Sequence, residues 1–253
     1  MSRLHKAVMA SLAVSVAWNQ VGHAQEQPDS GPVEFYACQW LDGEGPGSME
    51  KLGKQFNRWA DKNSPGYSAW VALPQFATDL DYDFLWIGSW PDGKTMGRET
   101  DAWLTNGATG DMGDAFNEVM DCSTGHVLMT SVAINANDWQ PKSGNVWFSA
   151  CTLAEGKTGM DATSAHSKVA ATLAQMGIKS SSWSMYPALG MAQMDYDYLQ
   201  VVFHDSYAQL GNNYDLYYSG GGVQKANAIV DGVTSCKSPN LFDAQLIRAG
   251  EVE

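Results

Sequence analysis

The stretch LDYDFLWI beginning at Leu80 comes back as MDYDYLQV beginning at Met194, 114 residues later. The echo is not isolated. EFYACQWLDGEG near Glu34 matches VWFSACTLAEGK near Val146, and Cys38 falls 113 residues before Cys151. SAWVALP matches SSWSMYP, which aligns Trp70 with Trp183 and Pro74 with Pro187. Further on, Gly97 aligns with Gly211, Asp101 with Asp215 and Cys122 with Cys236. A constant order at a near-constant offset is the signature of an internal repeat. The chain therefore reads as two copies of one unit, over 33–134 and 146–248, joined by the turn-rich linker 135–145, NANDWQPKSGN.

Each copy carries the same succession of patterns. A β-rich run opens it, VEFYACQWL or NVWFSACTL. A helical stretch follows; in the first copy Leu52, Phe56 and Trp59 recur at helical spacing until Asn63-Ser64-Pro65-Gly66 stops it. Two more strands, a long loop, a short helix and a last strand complete the order β-α-β-β-α-β, the ferredoxin-like unit. In that unit the first and fourth strands are antiparallel neighbours. The end of one then meets the start of the other, so Cys38 is expected to bond Cys122, and Cys151 to bond Cys236. Each bridge would close a loop of more than eighty residues and contribute about 4 kcal/mol on the chain-entropy account.

The N-terminus belongs to another function. A basic start with Arg3 and Lys6 precedes an apolar run of 12, then Gly22 and Ala24. This is the order of a secretory signal peptide, residues 1–24, too short in its apolar part to span a bilayer. No later segment is long and apolar enough to cross as a helix. Even cysteine numbers suit an oxidising compartment, and the expected location is periplasmic or secreted. Without the leader, 13 basic residues face 28 acidic ones, a net charge of −15. Such a surface repels phosphate backbones and argues against nucleic acid as a partner.

The segment YDFLWIGSW is apolar on both of its faces, so both are expected to be buried. Phe84, Trp86, Gly88 and Trp90 share one face and Leu85 and Ile87 the other. The expectation is that Leu85 and Ile87 meet the helices and the aromatic face meets the second copy's sheet. With its duplicated β-α-β-β-α-β order and its two-faced strands, the chain resembles the dimeric α+β barrel superfamily over about 33–248. That group includes antibiotic-biosynthesis monooxygenases, NIPSNAP-like proteins and chlorite dismutase-like haem proteins. The resemblance implies an α+β fold in which two tandem ferredoxin-like repeats form a pseudo-dimeric barrel, as a monomer or a higher homo-oligomer. It also implies a small-molecule or haem site between sheet and helices, and carries over no catalytic residue.

The aligned third strands nominate a site. Phe84, Trp86 and Trp90 stand against Tyr198, Gln200 and His204. An aromatic wall with a few polar groups suits a small organic molecule; plain core filling is the alternative. His204 is the candidate catalytic group, as a general base or as a haem ligand. His126 reads as exposed at a strand start, and His166 as solvent-facing on a helix. Trp103, in the long loop after the third strand, is a candidate lid residue; capping of an added helix competes with that reading. The recurring Asp81/Asp83 and Asp195/Asp197 pairs read as turn residues, with acid–base work as the alternative. Histidine spacings offer no metal motif, and no nucleophile elbow or nucleotide-binding glycine pattern occurs. The leading expectation is an exported binder of an aromatic or apolar compound, acting without a cofactor if it is an oxygenase or isomerase. Haem binding, or a non-catalytic envelope role, is the alternative.

Overall fold

The computed structural model describes residues 30–136, 138–191 and 194–251. The leader expected over 1–24 lies outside them. The first half runs β1 (Ser30–Trp40), α1 (Met49–Asn63), β2 (Ser68–Phe76), β3 (Phe84–Ser89), α2 (Gly93–Ala102), α3 (Asp111–Asn117) and β4 (Met120–Ala133). The second runs β5 (Gly144–Leu153), α4 (Gly159–Gln175), β6 (Ser181–Leu189), β7 (Tyr198–His204), α5 (Tyr207–Tyr214), α6 (Gly222–Val230), β8 (Thr234–Cys236) and β9 (Asn240–Arg248). Local chemistry explains the ends. Asp92, Thr158 and Ser206 each accept a backbone N–H of the first turn of α2, α4 and α5. Met49, Leu52, Phe56 and Ala60 bury one stripe of α1, and the helix stops two residues before Pro65.

All strand pairs are antiparallel. Their order β7-β6-β4-β1-β3-β2-β9-β5 closes on itself through β5–β7, giving an eight-stranded barrel with β8 added beside β5. The two halves meet edge to edge, through β2–β9 and β4–β6. No edge of the barrel is left open. Its interior is packed by mid-sized apolar chains from both halves, among them Phe35, Ile87, Val146, Val201, Phe203 and Phe242. Trp139, in the connection between the halves, packs on Trp70, Trp183 and Phe203 at 5.8, 5.2 and 5.3 Å between ring centres.

This corrects the facing expected from the sequence. Leu85 and Ile87 point into the barrel, with Leu199 and Val201, while Phe84, Trp86 and Trp90 point outward onto α1 and α3. In the same way Gln200, Val202 and His204 face α4, α5 and α6, not the other half's sheet. The alternation was right and its sign was wrong. A helix layer stands about 10 Å off a sheet and needs long side chains to fill the gap. The barrel interior is filled in its turn by Phe35, Trp70, Phe203 and Phe242 from other strands, which leaves Leu85 and Ile87 as the smaller chains of β3 that fit among them.

Two disulfides join Cys38 to Cys122 and Cys151 to Cys236. Cys122 sits inside β4, which starts earlier than its hydrophobic pattern announces. The second aspartate of each recurring pair ties the start of a strand. Asp83 donates its N–H to Cys38 O at 2.9 Å and accepts Trp40 N–H at 2.8 Å; Asp197 does the same with Cys151 O and Leu153 N–H at 2.8 and 2.6 Å. The loop expected after each third strand is largely helical, α2 or α5 running into a π turn at Trp103–Gly107 or Asp215–Ser219. Among the described residues no helix is long and apolar enough to cross a membrane.

Candidate functional site: a chamber between sheet and helices

The space between sheet and helices is filled in the first half. Phe56 on α1 meets Tyr67, Trp86 and Phe116 edge-on at 5.9, 5.4 and 5.7 Å. Trp103, behind them, meets Trp59 and Phe116 at 5.3 and 5.9 Å. Gly88 has no side chain because Tyr67 lies on it; a Cβ there would stand 2.0 Å from the phenol oxygen. Some of the polar atoms find partners, while Trp90 Nε1 has none among the described residues. Trp86 Nε1 donates to Tyr67 Oη at 2.8 Å, Tyr67 donates to Glu34 at 2.6 Å, and His126 meets the other Glu34 oxygen at 2.8 Å. The Glu34 carboxylate and burial together push the Tyr67 phenol well above its usual pKa, burial contributing most.

The second half has the same scaffold and different contents. Trp86 pairs with Tyr36 across β3–β1; at the matching register Gln200 pairs with Ser149 across β7–β5. Where Phe56, Tyr67 and Phe116 stand in the first half, Val169, Ser180 and Val230 stand 113, 113 and 114 residues later. The missing volume opens a chamber of about 990 Å³. Its floor is β5, β6 and β7, with Ser149, Ser182, Gln200 and Val202; its roof is Val169 and Leu173 of α4, with Ala226 and Val230 of α6. Tyr214, Tyr217 and Tyr218 stand at its side. This volume lies at the upper end of ordinary small-molecule sites.

Two histidines line it. His204 is 1% exposed, its ring edge-on to Trp147 at 5.0 Å, and its Nδ1 has no hydrogen-bond partner among the described residues. Asn145, directly across the β5–β7 ladder and equally buried, has neither amide atom satisfied. His166, on α4, bonds Tyr198 Oη at 2.8 Å, and that phenol meets Thr234 Oγ1 at 2.8 Å. Desolvation pushes both imidazoles down to about 4, so each is neutral near pH 7. His166 comes within 4.8 Å of Cys151 and Cys236, but the disulfide leaves no thiolate to ligate a metal. Lys237 is the only Lys or Arg among the described lining residues, and it is paired with Asp195.

The nominated residues thus separate. Gln200 and His204 reach the chamber. Tyr198 supports its end, packed with Cys151 and Ala162. Phe84, Trp86, Trp90 and Trp103 belong to the filled first-half core and do not meet them. His166, expected on a solvent face, is buried at the chamber wall. Ser149, Val169, Ser180 and Val230 line the chamber and carry no motif of their own. Their signal was available: at each of these positions the second half has a smaller or more polar residue than the first half has at the matching offset.

No family model matches this chain, and no curated protein does. Solved structures do. A provisionally assigned chlorite dismutase shares 11% identity over 87% of this chain and 96% of its own, with a TM-score of 0.51. A provisionally assigned monooxygenase from Lactobacillus acidophilus shares 9% over 88% and 96%, also at 0.51. A chlorite dismutase variant from Candidatus Nitrospira defluvii shares 7% over 87% and 93%, at 0.51. What these similarities establish for this chain is its fold, the α+β barrel of the chlorite dismutase-like proteins.

Proposed function

We propose that this chain is an exported small-molecule-binding barrel built from two tandem copies, 33–134 and 146–248, of which the second holds the ligand between its sheet and its helices. The observation that carries this reading is the contrast at matched register: aromatic fill in one half, a chamber of about 990 Å³ in the other. The fold can fill the gap and does so once, so a vacancy of this size is a feature of the second copy. Its apolar roof and its serine, glutamine and histidine floor suit a flat aromatic or apolar organic compound. Cofactor-free oxygenation or isomerisation by proton abstraction is less well supported. A general base works best near ambient pH, and burial has made both chamber imidazoles weak bases. Refilling tests the reading. A Val169→Phe/Ser180→Tyr variant should remain folded and lose binding of 2-naphthol in equilibrium dialysis; undiminished binding would place the ligand elsewhere.

Haem is the second reading, favoured by one observation: a neutral imidazole, His204, lines a chamber large enough for a big planar molecule. The donor set fits at the iron, because metal binds neutral imidazole. Haem there would supply redox and oxygen chemistry. His204 would hold it, Val169, Leu173 and Val230 would exclude water, and Lys237 at the rim would be the cation nearest to serving a propionate. Haem titration that yields a Soret band lost in His204→Ala supports this reading; a colourless protein removes it and leaves the organic ligand.

A further inference from the structure

We propose that Gln200 and Ser149 are the specificity residues of the chamber, and that they select an uncharged aromatic ligand carrying a carbonyl oxygen on or next to its ring. The inference rests on the small-molecule reading of the chamber and names the chemistry of its ligand.

The filled half shows what can occupy this place. There Trp86 Nε1, on the outer face of β3, donates to Tyr67 Oη at 2.8 Å, so a ring bearing an oxygen lies over the strand. Gln200 stands 114 residues after Trp86 and again offers an N–H. Ser180 stands 113 residues after Tyr67 and has no ring to carry an oxygen across. The second half has the donor without its acceptor.

The free atoms face the chamber. Gln200 is 9% exposed and Ser149 8%, and both line it. Gln200 pairs with Ser149 across β5–β7 and with Ser184 across β6–β7, so the three side chains leave the sheet on one face. Ser184 Oγ donates to Gln200 Oε1 at 3.1 Å, which fixes the amide and leaves Nε2 free. Neither Nε2 nor Ser149 Oγ has a side-chain or backbone partner among the described residues, and neither is sealed from the chamber as Asn145 and His204 Nδ1 are. Two neighbouring donors on a desolvated floor match the two lone pairs of one carbonyl oxygen. A phenol uses the floor less fully. In the first half Glu34 accepts the Tyr67 proton at 2.6 Å, but Trp147 stands at the place of Glu34 and accepts nothing. A carboxylate would have to shed water with no cation on the floor to meet it, since Lys237 is paired with Asp195. Val202 takes the place of Gly88 and holds the ligand ring off the strand, toward Val169 and Val230.

Equilibrium dialysis on the full chain tests this with two probes of one shape, 2-acetylnaphthalene and 2-isopropenylnaphthalene, in which a CH2 replaces the oxygen. 2-Naphthol reports binding as such. Wild type should bind the ketone about tenfold tighter than the hydrocarbon, whereas a merely apolar chamber would favour the hydrocarbon. In Gln200→Met, close in volume, the preference should collapse to within about twofold; in Ser149→Ala it should fall about threefold. The C=O stretch of the bound ketone should lie below its value in an apolar solvent and return to it in Gln200→Met, a readout that a purely architectural glutamine would not move. Equal binding of ketone and hydrocarbon by wild type overturns the inference and leaves the chamber reading standing. So does a preference unchanged in Gln200→Met, or in Ser149→Ala should the first variant not fold. Failure of all three probes to bind wild type overturns both.

Discussion

His166 and His204 are held neutral by burial, and that has a consequence for stability. Their native pKa of about 4 lies below the ordinary 6.5, so between those values the unfolded chain binds protons that the folded chain refuses. Stability is therefore full above about pH 6.5 and falls as pH drops toward 4, by no more than about 3 kcal/mol per histidine. Urea unfolding of wild type against His204→Phe checks this: the variant's advantage should grow between pH 6.5 and 4, whereas a constant difference would mean an ordinary native pKa. A second prediction contrasts the halves. Trp86→Ala should cost about 3–5 kcal/mol, because it empties a packed position. Gln200→Ala, at the matching place beside an existing chamber, should cost about 1 kcal/mol, chiefly the lost bond from Ser184 Oγ at 3.1 Å. At this scale the sequence was informative about which residues differ and silent on where they point. Trp86 against Gln200 and Trp90 against His204 stood out on alignment, but a strand apolar on both faces has a period and no sign. Only the helices, by packing on one face, set it.

Elements were more legible than side-chain directions. Strand alternation, the α1 stripe and the proline stop all predicted structure within a few residues of where it lies. The cysteines did better than the hydrophobic pattern. The start of β4 is polar, Met120-Asp121-Cys122-Ser123-Thr124, and periodicity alone began the strand at His126. Pairing logic nonetheless placed Cys122 beside Cys38, since two antiparallel neighbours must meet at that end. After β3 and β7 the added helix, one of the two readings the sequence left open, is what forms; α2 and α5 are short, and their π turns have no simple pattern. The paired bridges make a prediction at this scale. Cys38→Ala/Cys122→Ala and Cys151→Ala/Cys236→Ala should each lower stability by about 2–5 kcal/mol, and by similar amounts, because the separations are 84 and 85 residues. Chemical denaturation reads this, and a bridge whose loss costs nothing would not be a structural staple.

As a whole, the molecule solves one problem twice and departs from its own solution once. Both halves close the barrel through equivalent pairings, β1–β3 with β5–β7 and β2–β9 with β6–β4. Both lay helices over the outer face. Only the first fills the layer between. The proposal that the second half holds a ligand in its unfilled layer rests on that difference. Refilling should then raise the stability of the ligand-free protein while abolishing binding, since aromatic burial replaces empty space. The most direct measurement is native mass spectrometry of protein purified from its own host, wild type beside Val169→Phe/Ser180→Tyr. The account predicts a small molecule retained by wild type and absent from the refilled variant. A bare mass for wild type, or the same adduct on both proteins, would contradict it.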